Sequence, residues 1–167
     1  MSGGARLEEA KTRALEYLAR RDRSLRETQA YLEKKSFSPA VVRQTLDYLV
    51  ERHYLDEERF VRSWGQSRIR TAKIGRLRLQ QELVHKGLET DVVRAAVEDL
   101  YAGLDELKLA RDCARKNPAK WRGLEPGKKR RRMAQFLERK GFSSETIRRV
   151  LEQLAPLDAG GETPQEP

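Results

Sequence analysis

Apolar residues recur every three or four positions almost without interruption from Leu7 to Leu154, and no segment alternates apolar and polar residues long enough to make a strand. The pattern predicts an all-α chain. Leu7, Ala10, Ala14 and Leu18 form the stripe of a first helix over about 5–21, broken by the charged run Arg20-Arg21-Asp22-Arg23. Ser24 and Glu27 then have the spacing of a capping box, in which each side chain accepts a hydrogen bond from the other residue's backbone N–H. That second helix runs to about Lys35. Ser38-Pro39 places an N-cap residue before a proline whose missing N–H costs nothing, and opens a third helix to about Glu51. The segment from 54 to 73 takes Asp56 as cap and puts Glu57 and Glu58 at the positive helix end, with Phe60, Val61 and Trp64 facing inward. Further helices are predicted near 75–86, 90–101, 103–117, 127–140 and 144–155, with breaks at Asn117-Pro118 and Pro126-Gly127, making about nine in all. The tail 156–167, rich in proline and glycine, has almost nothing to bury and is expected to be disordered.

One stretch is written three times, as LEKKSFSP at 32–39, LVHKGLET at 83–90 and LERKGFSS at 137–144. Set in register, Leu32 matches Leu83 and Leu137, Phe37 matches Leu88 and Phe142, and Val42 matches Val93 and Ile147. The match continues through Leu46, Val97 and Leu151 to Leu49, Leu100 and Leu154. Between the aligned Leu and Phe one helix must end and another begin. Gly87 and Gly141 sit where the residue after a helix takes the left-handed conformation, and Lys35, Lys86 and Lys140 precede that point, where a cation suits the helix C-terminus. The first copy has Ser36 there instead.

Five apolar side chains in one copy would gain roughly 7 to 15 kcal/mol on burial, at about 1.5 to 3 each. Ordering the backbone of the same copy costs more, at roughly 1 to 2 kcal/mol per residue. The copies must therefore stack. The expected architecture is tandem three-helix repeats in an elongated, curved stack. The expected division is an N-terminal helix over 1–21, repeats over 22–73 and 74–122, a partial repeat over 123–155 and the tail. A compact nine-helix bundle descended from duplication is the bland alternative.

Composition narrows the partners. Lys and Arg outnumber acids by 35 to 26 in 167 residues, giving net charge +9 and a pI near 9.9, which favours nucleic acid or acidic protein surfaces. The cations also repeat with the fold: Arg20, Arg21, Arg23 and Arg26 in the first copy, Arg70, Lys73, Arg76 and Arg78 in the second, and the run Lys128, Lys129, Arg130, Arg131, Arg132 in the third. Any single cluster could be ordinary surface solvation, but three in register suit a periodic anionic partner such as a phosphate backbone or a filament. Five adjacent like charges in the third also repel one another unless an anion comes near.

A helix-turn-helix reading is weaker. Base-reading positions would be Ser144, Glu145, Arg148 and Arg149 in the third copy but Pro39, Ala40, Arg43 and Gln44 in the first, which do not agree in character. His53 and His85 have no metal-ligand spacing, and no nucleophile elbow, phosphate loop or dinucleotide fingerprint occurs, so neither catalysis nor a metal or cofactor is expected. Cys113, the one cysteine, suits packing in a reducing compartment. The sequence has no apolar run of signal-peptide or membrane-span length, so a soluble cytoplasmic protein is expected, and no spare apolar stripe argues for an obligate dimer.

Three segments carry a family resemblance: ALEYLARRDRSLRETQAYLEKKSFSPAVVRQTLDYLVERHYLDEERF (14–60), RLRLQQELVHKGL (76–88) and FLERKGFSSETIRRVL (136–151). Over about residues 10–155 the chain resembles the RecX family of recombinase regulators, most specifically in YLDEERF, through Tyr54, Leu55, Asp56, Arg59 and Phe60. The resemblance implies tandem three-helix repeats, binding to RecA and its nucleoprotein filament, inhibition of recombinase and ATPase activity, some direct contact with single- or double-stranded DNA, and no catalytic residues. Ser36, in place of the usual glycine, and Glu58 depart from the family pattern. The competing expectation is a DNA-binding or architectural protein indifferent to sequence.

Overall fold

The computed structural model describes residues 3–154, so the disorder expected of the tail 156–167 falls outside the described residues. Among them are nine α-helices and no strand: α1 Gly3–Ala19, α2 Leu25–Lys34, α3 Pro39–Glu51, α4 Glu57–Ala72, α5 Arg76–His85, α6 Thr90–Ala102, α7 Glu106–Arg115, α8 Pro126–Arg139 and α9 Ser144–Leu154. A short 3₁₀ turn, Pro118–Lys120, follows the predicted break at Asn117. Polar caps account for most of the boundaries. Ser24 and Glu27 form the full capping box, with Glu27 N–H donating to Ser24 Oγ at 3.2 Å and Ser24 N–H to Glu27 Oε2 at 3.1 Å. Asp56 Oδ1 accepts from Arg59 N–H at 3.0 Å, as expected. The seventh helix begins later than the pattern suggested, because Asp105 Oδ1 accepts from Lys108 N–H at 2.9 Å and holds the N-cap there.

Two compact units divide the chain, Met1–Gln66 with Glu82–Ala96, and Ser67–Gln81 with Val97–Pro167. In the first, α1, α2 and α3 close on a core of Ala10, Ala14, Leu32, Phe37, Val42, Leu46, Leu49 and Leu55. In the second, α7, α8 and α9 close on Ala110, Cys113, Ala114, Trp121, Met133, Phe136, Leu137, Phe142, Ile147 and Val150. These cores group the helices as α1–α2–α3 and α7–α8–α9, and Ala10 and Ala14 of α1 are completely buried in the first. The aligned residues Leu83 of α5, Leu88 of the turn after it, and Val93 and Val97 of α6 are also buried.

The repeated corner has the same hydrogen bonds in all three copies. Ser36, Gly87 and Gly141 have φ of 61°, 92° and 83°. Each donates its N–H three residues back, to Glu33, Val84 and Glu138, at 2.8 to 2.9 Å. The next residue, Phe37, Leu88 or Phe142, donates five back to Leu32, Leu83 or Leu137 at 3.2 to 3.4 Å. This is a Schellman corner, in which a residue just beyond the helix packs on one in its last turn. The aligned Leu and aromatic or Leu positions are those two residues. Tyr54 and His53, with φ 56° at His53, close α3 in the same way. His53 is thus a helix-ending residue, in keeping with its expected place at a helix end or on the surface, and it takes the left-handed conformation without glycine's help.

Ser36 holds the left-handed conformation with a Cβ, at a cost of about 1 to 2 kcal/mol. Ser36→Gly should therefore raise the melting temperature by about 2 to 4 °C for each kcal/mol recovered in a chain of this size, as read by calorimetry. An unchanged or lower midpoint would show that Cβ contacts at Ser36 compensate the strain.

Candidate functional site

A helix end leaves carbonyls without intrahelical partners, and a buried corner must find donors for them elsewhere. In the first unit the corner after α5 finds them at the start of α2. Ser24 Oγ donates to Lys86 O at 2.9 Å, and Lys86 Nζ donates to Glu27 Oε1 at 2.6 Å. The capping box of α2 therefore has a second use: its spare hydroxyl proton and spare carboxylate oxygen both bind the corner of the next repeat. Arg26 lies so close over Gly87 that a Cβ there would overlap its Cβ and Cδ.

In the second unit the corner after α8 meets the start of α5 in the same relation. Gly75 N–H donates to Lys140 O at 2.8 Å and Leu77 N–H to Gly141 O at 3.1 Å, while Lys140 Nζ reaches Ala72 O at 2.9 Å. Backbone touches backbone here. A Cβ on Gly141 would overlap the N of Arg78, and one on Gly75 would overlap the carbonyl of Gly141. Tyr101 OH completes the seam by donating to Ile74 O at 2.7 Å.

These joints gather the first two basic clusters. Arg21 pairs with Glu27 at 3.5 Å, and Arg23 lies over the Tyr17 ring at 4.2 Å, half-buried. Arg76 Nε contacts Glu106 at 2.9 Å and its guanidinium lies 5.3 Å from the Tyr101 ring centre. Lys73 has φ 47° in the turn before α5. Arg76 thus helps build the second joint, Arg23 and Lys73 are half-buried nearby, Arg26 and Arg78 are exposed but approach the two glycine corners, and Arg20 and Arg70 are exposed.

The third cluster is different. Lys128 is 3.9 Å from Glu125, with both side chains mostly in solvent, and such a pair is worth little. Lys129 is half-buried, while Arg130, Arg131 and Arg132 are exposed on α8 and make no ion pair with any described acid. Beside them opens an apolar groove of about 240 Å³, lined by Pro126, Gly127, Met133, Leu151 and Leu154 and rimmed by Lys129 and Arg130.

Tyr54, Asp56, Arg59 and Phe60 are brought together, but as a structural corner. Arg59 Nη2 donates to Tyr54 O at 3.3 Å, Asp56 caps α4, and Phe60 is buried and stacked 6.2 Å from Trp64. With Asp22 and Arg23 they surround a cleft of about 40 Å³, room for little more than a water molecule. No group of His, Cys, Asp and Glu among the described residues could hold a metal ion. Burial pushes the Cys113 thiol up, more than Lys140, Lys73 and Lys120 pull it down, so it packs as a hydrophobe. No helix among the described residues is long and apolar enough to cross a membrane.

Comparison with known proteins assigns these repeats. Profiles described as RecX, first, second and third three-helix domains match residues 10–49, 56–97 and 105–151. The chain belongs to the RecX family. Relatives called regulatory protein RecX include one from Halorhodospira halophila, 33% identical over 147 residues, covering 87% of this chain and 88% of its own. Another, from Leptothrix cholodnii, is 36% identical and covers 84% and 86%. The crystal structure of RecX from Lactobacillus salivarius matches with a TM-score of 0.79 at 19% identity, over 92% of this chain and 99% of that one. The three family domains coincide with α1–α3, α4–α6 and α7–α9, so the joints described above connect one RecX repeat to the next.

Glu27 gives the first joint a measurable signature. Burial by itself would raise its carboxyl, but the Lys86 hydrogen bond, the Ser24 N–H and the charges of Lys86 and Arg21 prevail and hold it below its ordinary 4.5. A carboxylate with a depressed folded value adds stability above its unfolded value and loses it as pH falls through the folded one. Glu27→Gln should flatten that acid limb of a stability-against-pH curve and lower the midpoint at neutral pH. A variant with the same acid limb as the wild type would show that the pair contributes nothing. Gly141→Ala should be the more damaging change, at about 2 kcal/mol or more, since it adds a backbone overlap to the left-handed strain. Denaturant unfolding reads it directly, and a loss below that of Ser36→Ala would count against the close approach.

Proposed function

We propose that the chain is a non-catalytic regulator that binds RecA recombinase and its nucleoprotein filament from the cytoplasm, as a monomer, and restrains filament growth and ATP hydrolysis. What supports the reading is membership of a family of regulatory proteins over all three repeats. The observation that carries it is the start of α8, where Arg130, Arg131 and Arg132 are exposed and make no ion pair with an acid among the described residues, and Lys128 has only a long, solvent-exposed contact with Glu125. A cation cluster left unneutralised by its own fold gains most from an anionic surface, and both filament protein and DNA phosphate supply one. Arg20, Arg26, Arg70 and Arg78 are exposed around the two joints and add positive surface there. A second reading, sequence-indifferent DNA binding without recombinase, draws on the same cations and requires strong salt dependence on naked DNA.

Adding the protein to RecA on single-stranded DNA should lower the rate of ATP hydrolysis. No change at any ratio would sink the inhibitory reading, and binding to naked DNA but not to filaments would favour the second. The triple change Arg130→Ala, Arg131→Ala, Arg132→Ala should weaken filament binding by about tenfold or more, since each lost phosphate or carboxylate contact is worth roughly 0.5 to 1 kcal/mol at an exposed site. Its melting temperature should stay within a few degrees of the wild type, because these side chains touch no core. Undiminished binding would remove α8 from the interface.

A further inference from the structure

Cations and aromatic rings are interleaved on the first repeat. Tyr17 of α1 and Tyr31 of α2 stack with ring centres 4.1 Å apart and planes 2° from parallel. The Arg23 guanidinium lies 4.2 Å from the centre of the Tyr17 ring, and since Tyr31 takes one face of that ring, Arg23 takes the other. Parallel phenol rings of like quadrupole gain little from each other unless they are offset, and a cation against the outer face polarises the pair favourably. Arg23 Nε is buried and has no hydrogen-bond partner, so at that atom the ring stands in for an acceptor. The result is a flat column of three layers, guanidinium on phenol on phenol.

The column ends on Tyr31, a ring that rests on the first core and is only half-buried. Lys35, exposed at the C-cap of α2, holds its Nζ 5.7 Å from the Tyr31 ring centre, beyond the distance of a close stack. Lys34 lies three residues along the helix from Tyr31, on the same face, and is exposed. Neither lysine pairs with an acid among the described residues. The acids of α2 are already engaged, Glu27 with Lys86 at 2.6 Å and Glu33 with Gln29 Nε2 at 2.8 Å. The end of the column therefore offers a flat π face beside two ammonium groups that have no carboxylate of their own. Tyr101 shows the other use of a tyrosine, with a buried hydroxyl donating to Ile74 O at 2.7 Å. The hydroxyls of Tyr17 and Tyr31 bond no described residue, which leaves their rings as what these positions employ.

We propose that this column is a stacking platform for an unpaired base of a single-stranded nucleic acid. The base would lie on Tyr31 as a fourth layer. Its flanking phosphates would meet Lys34 and Lys35, whose flexible stems let the ammonium groups swing clear of the ring. Every base has a π face, so the platform is indifferent to sequence. It selects for strand form, because the faces of bases in a duplex are taken up by their neighbours, and a ring seated half-buried on the core cannot advance as a wedge between them. An acidic peptide suits the same ammonium groups but has no flat layer to add to the column. The inference rests on the DNA-contact reading, which it sharpens, and needs no recombinase.

The test titrates the full-length chain with oligo(dT) and with a duplex of the same length at one salt concentration, and repeats the first with an iodouracil-substituted strand for photocrosslinking. Tyr31→Leu keeps an apolar contact with the core and removes the aromatic face. It should weaken oligo(dT) binding about tenfold and duplex binding by less than about twofold, while Tyr31→Phe should bind both as the wild type does. The wild-type crosslink should fall on Tyr31, a readout that a change in stability does not mimic and that decides alone if Tyr31→Leu does not fold. Unchanged oligo(dT) affinity in Tyr31→Leu, an equal loss on both strand forms, or a crosslink confined to other residues overturns the platform while leaving DNA contact in place. Loss of polyglutamate binding in Tyr31→Leu with oligo(dT) binding intact assigns the face to acidic protein and overturns it too. A chain that binds RecA filaments and no naked DNA overturns the platform and the DNA-contact reading together, and leaves the recombinase reading standing.

Discussion

The structure depends on how a helix corner disposes of carbonyls that its own helix cannot bond. At Lys86 and Lys140 those carbonyls are partly covered, and leaving a buried acceptor unpaired costs about 1 to 3 kcal/mol. The chain meets the need with donors from the start of another repeat's second helix, a serine hydroxyl in one case and two backbone amides in the other. Bonds of this kind require backbones within hydrogen-bonding distance, and that distance excludes a side chain at the corner. Glycine at 87 and 141 is thus set by two independent constraints, the left-handed φ and the approach of Arg26 or Arg78. Ser36 is subject to only the first, and a residue that must satisfy one constraint can be something other than glycine.

That distinction marks how far the sequence could be read. The helices, the capping box at Ser24, the proline start at Pro39 and the aligned Leu and aromatic positions followed from period and cap chemistry, which act over a few residues. The same is true of the left-handed residue itself. The joints were not legible, because Ser24 and Lys86 are 62 positions apart and Gly75 and Lys140 are 65 apart, and nothing local in either segment shows its partner. Glu27 illustrates the limit: its capping role was plain from the spacing, whereas its pairing with Lys86 depended on which helix came to lie beside it. The repeat is most conspicuous at its corner, in the second and third helices, while α1 adds to the same core through Ala10 and Ala14 of its apolar stripe.

The candidate site was legible as composition and less so as geometry. Three basic clusters stood out with the repeat, yet they do not have equal status once folded. Arg23 and Arg76 lie against aromatic rings, and Arg76 is paired with Glu106, so part of their charge is used to hold the joints. Arg130, Arg131 and Arg132 of the α8 cluster make no ion pair with an acid among the described residues, and they stand near the positive end of their own helix, which is electrostatically unfavourable. A fold keeps such an arrangement at some cost in stability, and binding an anionic partner relieves that cost. YLDEERF is recognisable in part through structural tasks: Asp56 caps α4, Leu55 and Phe60 are buried, and Arg59 donates to the Tyr54 carbonyl.

An array of similar repeats that stack through one kind of joint has a difficulty at each end, since the surfaces that join neighbours would also join separate chains into open-ended assemblies. Here the difficulty is met differently at the two surfaces. The corner of the first repeat is closed locally, by Arg6 on the Ser36 carbonyl and by a Cβ that a receiving helix could not accommodate. The start of α8 carries five cations of the same sign as Lys34 and Lys35 at that corner. One surface is blocked by shape and the other selects by charge.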